Sequence, residues 1–206
     1  MPIMDPKRLF KIREKTLPVE GLGESMMPWY RKMTMPSEAR VAAAKKAAVL
    51  IHVFAGEQDL EVLYMRRPVY EGTHGGQVSF PGGKVELHDQ SMLDTALREA
   101  EEEVGLQAQH LEVVRPLSPL YIPPSDFMVH PFVSFGKERP ELVLDPTEVA
   151  HTFSIPLEAL CSQDLIGETS VDTKMGKMQV PAYHFGGEVI WGATAMMTAE
   201  FIALLS

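Results

Sequence analysis

The chain is poor in three things. It has one cysteine, Cys161, among 206 residues, so no intrachain disulfide framework exists, which suits a reducing compartment. Cys161 itself reads as a small buried apolar residue. Positive charge is also in deficit: 19 Lys and Arg against 28 Asp and Glu leave a net charge of −9 and a pI near 5.3. That balance argues against a nucleic-acid-binding surface, which is normally basic. Long apolar runs are missing too. No stretch approaches the roughly 18 apolar residues of a membrane span, and residues 1–10 lack the apolar segment of a secretion signal. The expectation is a soluble, cytoplasmic protein with no nucleic-acid partner and no membrane partner. Its length fits one domain with a full core and some N-terminal elaboration.

What is present is concentrated in residues 82–106, GGKVELHDQSMLDTALREAEEEVGL. The stretch reads as a Gly-Gly bend, a short acidic loop and a helix. Ser91 is the candidate N-cap, and Asp94 three residues on gives a variant of the capping box. Leu93, Ala96, Leu97, Ala100 and Val104 recur at the spacing of a buried helical face. Gly105 follows, where a helix end calls for a residue that accepts a left-handed conformation.

The glutamates break a local rule. Glu99, Glu102 and Glu103 sit at i, i+3 and i+4, so their carboxylates fan from one side of the helix. Such pairs repel by roughly 0.2–0.5 kcal/mol each, at the helix end where the dipole favours cations. An isolated E-x-x-E-E is usually a solvated acidic face, and Glu101, rotated away, fits that description. The Gly-Gly bend, Arg98 and Gly105 in the same window argue for function instead. Hard oxygen donors on one rigid face suit Mg2+ or Mn2+.

Elsewhere the pattern predicts strands over residues 47–54, 60–66, 111–120, 127–135, 168–173, 178–185 and 188–191. Helices are expected from Lys7 to Leu17 with Asp5 as cap, over one or two turns at 37–43, at 156–160, and at 192–205 with Met196, Ala199 and Ile202 inward. Residues 1–45 divide off as an N-terminal extension, and 46–206 as the functional domain. The loop from Pro18 to Pro36 either packs over the core or meets a second subunit. His52, inside an apolar run, reads as a core histidine with a partner.

The dense stretch resembles the Nudix box, G-x5-E-x7-R-E-U-x-E-E-x-G-U with U aliphatic. Gly83, Arg98, Glu99, Glu102, Glu103, Gly105 and Leu106 fall on the pattern, and Ala100 stands in for U. Asp89 takes the first acidic position, and eight residues separate it from Arg98. Both departures resemble the coenzyme A pyrophosphatase branch of the Nudix hydrolases. Upstream, His74, Gly76, Gln77, Val78, Phe80, Pro81, Gly82 and Gly83 resemble that branch's H-x-G-Q-V and P-G-G. Downstream, Ser125, Phe127, Val129 and Pro131 match, but Asp126 replaces a glycine and brings a negative charge near the expected substrate side. Glu148, in a D-P-T-E-V segment, is the outlying carboxylate expected to fold back towards the metal.

The resemblance implies an α/β/α sandwich with a mixed β-sheet. It also implies a divalent-metal-dependent hydrolase of a nucleoside diphosphate linked to another moiety. Glu99, Glu102 and Glu103 would be the metal ligands. Glu102, Glu103 and Glu148 are all candidates for the general base, and Arg98 would orient a glutamate. Arg66, His74, Gln77, Gly82 and Gly83 would face the substrate, with Arg67 evenly balanced between that role and a surface one. Coenzyme A, cleaved to 3′,5′-ADP and 4′-phosphopantetheine, is the favoured substrate. ADP-ribose or a related compound is the second reading, and a catalytically silent binding module the third. A homodimer is allowed, with no patch to define it.

Overall fold

The computed structural model describes residues 6–16, 24–29, 31, 36–69, 75–173 and 176–205. Its sheet is built on β1 (Lys45–Ala55). Ala47, Ile51 and Val53 point to one face with Val62 and Tyr64 of β2 (Leu60–Arg66), while Ala48, Leu50 and Phe54 point to the other with Leu63 and Met65. A strand apolar on both faces needs cover on both.

One edge of β1 is taken along its length by β7 (Phe127–Gly136), in parallel, from Lys45↔Phe127 to Phe54↔Gly136. The other edge is shared. β2 pairs with it only over Val53–Ala55, and β4 (Gly82–Lys84) replaces β2 over Ala47–Val49. Meanwhile β2 pairs at Met65 and Arg66 with β3 (Val78–Ser79), and along its far edge with β8 (His151–Pro156). The two strands therefore splay, and the β3–β4 strap fills the gap. Beyond β7 lie β5 (Glu112–Pro116) and β6 (Leu120–Ile122). A separate antiparallel sheet is formed by β9 (Ile166–Thr173), β10 (Gly176–Phe185) and β11 (Glu188–Trp191).

The Met92–Val104 helix covers one face of the large sheet, packing Ala96, Ala100 and Val104 with Leu50, Phe54, Leu63 and Met65. The closing helix, Gly192–Leu205, covers the other, packing Phe201 and Leu204 with Ile51, Val53, Tyr64 and Phe80. The α/β/α sandwich with a mixed sheet is thus the observed architecture. No helix among the described residues is long and apolar enough to cross a membrane.

Several local expectations shift. The strand expected over 111–120 is broken into β5 and β6: its pairing slips between Val113 and Arg115, and Pro116 and Pro119 carry no N–H for a ladder. The closing helix buries more than the face marked by Met196 and Ala199. Thr194, Ala195, Met197, Thr198 and Phe201 are buried too, while Ile202 is only partly covered. It lies against the sheet, the small sheet and the turn at Glu24–Met26 at once. Cys161 is exposed, because Leu157 and Leu160 take the inward positions of its one-turn helix (Leu157–Cys161). The first helix is short, Pro6–Lys11, followed by a 3-10 turn at Ile12–Glu14; its expected cap, Asp5, lies outside the described residues. Leu9, Ile12 and Met26 of the N-terminal 45 residues are fully buried in the common core. Arg13 and Arg115 latch that segment to β5, Arg13 donating to the Val113 and Val114 carbonyls and Arg115 to those of Ile12 and Lys15.

Candidate active site

The site forms where β1 and β2 part. The glutamate helix starts as its cap residues dictate, with the Ser91 hydroxyl accepting from the Asp94 N–H, and it ends at Gly105 with φ 75°. Its last carbonyls are not left open. The Asp145 N–H donates to the Glu103 carbonyl at 3.0 Å and the Val143 N–H to that of Val104 at 3.1 Å. This satisfies orphan acceptors of the helix end and brings the 145–148 turn, with Glu148, against the acidic half of the helix.

The expected fan of carboxylates is resolved into distinct environments. Glu103 is 2% exposed. Its Oε2 accepts from the Gly82 N–H at 2.7 Å and its Oε1 from Arg67 Nη2 at 3.2 Å. Burial pushes its carboxyl up to about 8; Arg67 and the Gly82 N–H pull it down, and Glu99 and Glu148 push it further up. Glu99 is half-buried, and burial raises its pKa as well, with Arg98 opposing and Glu102 and Glu148 adding to the rise. Glu102 is exposed and turns to Arg98 at 2.8 Å. Glu148 is exposed on its turn.

Arg98 is the organising cation. It grips Asp89 with two parallel bonds of 3.0 Å, from Nε and Nη2, and reaches Glu99, Glu102 and the Lys84 carbonyl. A bidentate guanidinium–carboxylate pair fixes orientation as well as charge. Asp89 also accepts from the Thr95 hydroxyl and the Glu86 N–H. The Arg98 bonds hold its carboxyl well below the usual range. The first acidic position is thus spent on holding Arg98.

The two glycines have separate reasons. At Gly82, φ is 152° and a Cβ would stand 2.4 Å from the Ala48 carbonyl oxygen. At Gly83, a Cβ would strike the Glu99 carboxylate at 2.4 Å. Gly83 is the cradle in which that carboxylate lies.

Of the residues expected to face a substrate, Gly82 and Gly83 are in the site. Gln77 is half-buried where β2 ends, its carbonyl accepting from the Arg67 N–H at 3.0 Å. His74 lies outside the described residues. Arg66 points to the opposite face of the sheet, where Glu188 of β11 accepts its Nη1 at 2.7 Å and also binds His151. Its neighbour Arg67 is the arginine that meets Glu103. Strand alternation puts residue 67 on a face with Leu63 and Met65 and residue 66 on the other, but the alternation alone does not say which face the glutamate helix covers. Asp126 does not stand as an open negative charge, since Tyr121 and Arg40 both bond to it.

The comparisons with known proteins give the family and the fold. A family model described as the NUDIX domain matches residues 44–174. The chain is 34% identical over 151 residues to the Nudix hydrolase NudL of Photorhabdus laumondii, covering 73% of this chain and 80% of that protein. The chain belongs to the Nudix family. NudL of Yersinia pestis is 35% identical over 154 residues, covering 75% of this chain and 76% of its own. The Nudix fold is seen in a MutT/nudix family protein from Enterococcus faecalis, which superposes with a TM-score of 0.52 at 14% identity, covering 97% of this chain and 73% of that one. It recurs in a MutT protein from Methanosarcina mazei, with a TM-score of 0.51 at 17% identity, covering 77% and 92%. The chain is therefore a Nudix hydrolase, a pyrophosphohydrolase of nucleoside diphosphate derivatives.

Nudix enzymes typically use a divalent metal, and the donor set here fits one. It is made of hard carboxylate oxygens, close enough that neighbouring carboxylates raise the proton affinity of Glu99 and Glu103, beside a backbone cradle kept open by Gly83. Among the described residues no three acidic, His or Cys side chains already stand together at ligand spacing, because Arg98 draws Glu102 outward while Arg67 and Gly82 hold Glu103 inward.

Proposed function

We propose that this Nudix hydrolase cleaves the diphosphate of coenzyme A or its derivatives, giving 3′,5′-ADP and 4′-phosphopantetheine, with Mg2+ or Mn2+. The chemistry is supported by one observation: at the end of the glutamate helix the charge of Glu148 reaches both Glu99 and Glu103, and Glu102 adds to the field at Glu99. The substrate choice is supported by the residues around Gln77 and the P-G-G bend that resemble the coenzyme A branch.

Glu99, Glu102 and Glu103 are the residues that would hold the cation. A divalent ion there supplies neutralisation of the diphosphate charge and acidification of a water. Glu148 is the general base. Both Glu103 oxygens are engaged and Glu102 is tied to Arg98, whereas Glu148 stands on a turn, exposed, and its charge reaches both Glu99 and Glu103. It takes the proton as water oxygen attacks one phosphorus, and the bridging oxygen leaves with the other phosphate. Arg98 fixes Glu99 and Glu102 in place and does not touch substrate. Gln77 borders the substrate path at the end of β2, and His74 belongs to the same loop in sequence.

The test is mass-spectrometric product analysis with coenzyme A, ADP-ribose and NADH, each with Mg2+ and with Mn2+. Release of 3′,5′-ADP at the highest kcat/KM supports the proposal. Preference for ADP-ribose or NADH replaces the substrate and keeps the chemistry. No turnover of any of them favours a binding module.

A further inference from the structure

We infer that Arg67 is the positioning residue of this carboxylate site, clamping Glu103 in the orientation from which it serves as a ligand. The inference rests on the metal-site reading above. β2 ends by sending two consecutive arginines to opposite faces of the sheet, and only Arg67 comes out on the face of the glutamate helix. There its Nη2 bonds at once to the Gly82 carbonyl at 3.1 Å and to Glu103 Oε1 at 3.2 Å. The same glycine donates its N–H to the other oxygen of Glu103. Gly82, Arg67 and Glu103 therefore close a ring of three bonds in which each carboxylate oxygen has an assigned partner.

The ring is built where a carboxylate is hardest to keep in place. Glu103 is 2% exposed, and Arg67 21% in its side chain. A glutamate has three side-chain torsions, and without the guanidinium one of its oxygens loses its partner and the side chain is free to turn away from Glu99 and Glu148. Arg67 is itself seated from below, because its own N–H is held by the Gln77 carbonyl. The placement follows from the splay of the sheet. With β4 on β1 and β3 on β2, the strap carries Gly82 under the end of β2, within reach of residue 67.

The proposal is tested on the full chain by Mn2+ binding, followed by electron paramagnetic resonance, and by steady-state kinetics. Arg67→Ala is expected to weaken Mn2+ binding about tenfold and to lower kcat about a hundredfold, the scale of a misplaced catalytic group, while KM for the diphosphate stays within about twofold. Arg67→Lys keeps the charge but not the planar fork and is expected to lie between. If Arg67→Ala does not fold by circular dichroism, Arg67→Lys and Arg67→Gln are read in its place. Arg139→Ala removes an arginine from the pair with Glu61, at 2.7 and 2.8 Å, and should leave the Mn2+ affinity unchanged. Wild-type Mn2+ affinity and kcat in the Arg67 variants would overturn the assignment, as would a raised KM at constant kcat, which marks a substrate contact. Glu103→Gln separates the two readings. If it binds Mn2+ like wild type, Glu103 is not a ligand and both readings fall. If it loses Mn2+ while the Arg67 variants keep it, the site stands and the role of Arg67 falls.

Discussion

At the scale of single residues, the adjacent glycines give the sharpest contrast. Alanine at Gly82 forces a strained φ and drives a methyl group into the Ala48 carbonyl, so Gly82→Ala should cost about 2–3 kcal/mol of stability. Alanine at Gly83 meets only the movable end of Glu99. Gly83→Ala should therefore melt within a few degrees of wild type yet lose about a hundredfold in kcat, because Glu99 is pushed aside. Thermal unfolding and steady-state rates measured on both variants check this; equal effects on stability would refute the separation. Glu148→Gln removes the proposed base and leaves the helix carboxylates alone. A loss in kcat of about a hundredfold or more is expected, with Mn2+ affinity within about threefold of wild type. Undiminished turnover would return the base to Glu102 or Glu103. The glycines were legible because the bend and the helix are neighbours in sequence, whereas Glu148, on a distant turn, was expected only through the family resemblance. Arg67 was not legible, since its role depends on which face of a strand is which, and that is decided by what packs on the sheet.

At the scale of elements, the helix was readable end to end because its signals are carried within it: the Ser91 cap, the apolar stripe and Gly105. The stripe was nonetheless incomplete. Thr95 and Glu103 are fully buried on it and Leu93 is only half-buried, because Asp89 and Gly82 supply polar partners that the helix alone does not reveal. Ser91→Ala should cost about 1 kcal/mol, seen as a lower urea midpoint with an unchanged m-value. Asp89→Asn should do more. It removes the charge to which Arg98 is doubly bonded, freeing the guanidinium that fixes Glu99 and Glu102. Both a lower melting temperature and a fall in kcat are expected, and a variant that lost stability alone would show Arg98 to be held by its other contacts. The N-terminal segment was opaque for the opposite reason. Leu9, Ile12 and Met26 find their cover on elements about a hundred residues or more away, which no local pattern encodes.

At the scale of the whole molecule, the core includes His52, an ionisable group that the chemistry leaves aside. His52 is 1% exposed, its Nδ1 lies 3.0 Å from the Ser134 hydroxyl, and its ring stacks on Phe54 at 5.9 Å. It is the partnered core histidine that the apolar run suggested. Burial lowers its pKa from 6.5 to about 4. The sign follows directly. As pH falls below 6.5 the unfolded chain takes up a proton on this residue and the folded chain does not, so stability present above pH 6.5 is lost down to about pH 4. The gap corresponds to about 3 kcal/mol. Other groups move the wild-type curve too, Glu103 and Asp89 among them. Glu103, raised to about 8, favours the folded state increasingly as pH falls from 8 towards 4.5, against His52. Asp89, held low by Arg98, gives up its contribution only below the usual carboxylate range, near pH 4. The difference between wild type and His52→Gln isolates the histidine, because the other groups are common to both. Urea unfolding at pH 7, 5.5 and 4.5 should show wild type losing about 2 kcal/mol relative to the variant across that interval, whatever the variant costs at pH 7. Parallel pH profiles would mean that His52 protonates inside the folded protein, with Ser134 and the sheet opening to admit the charge.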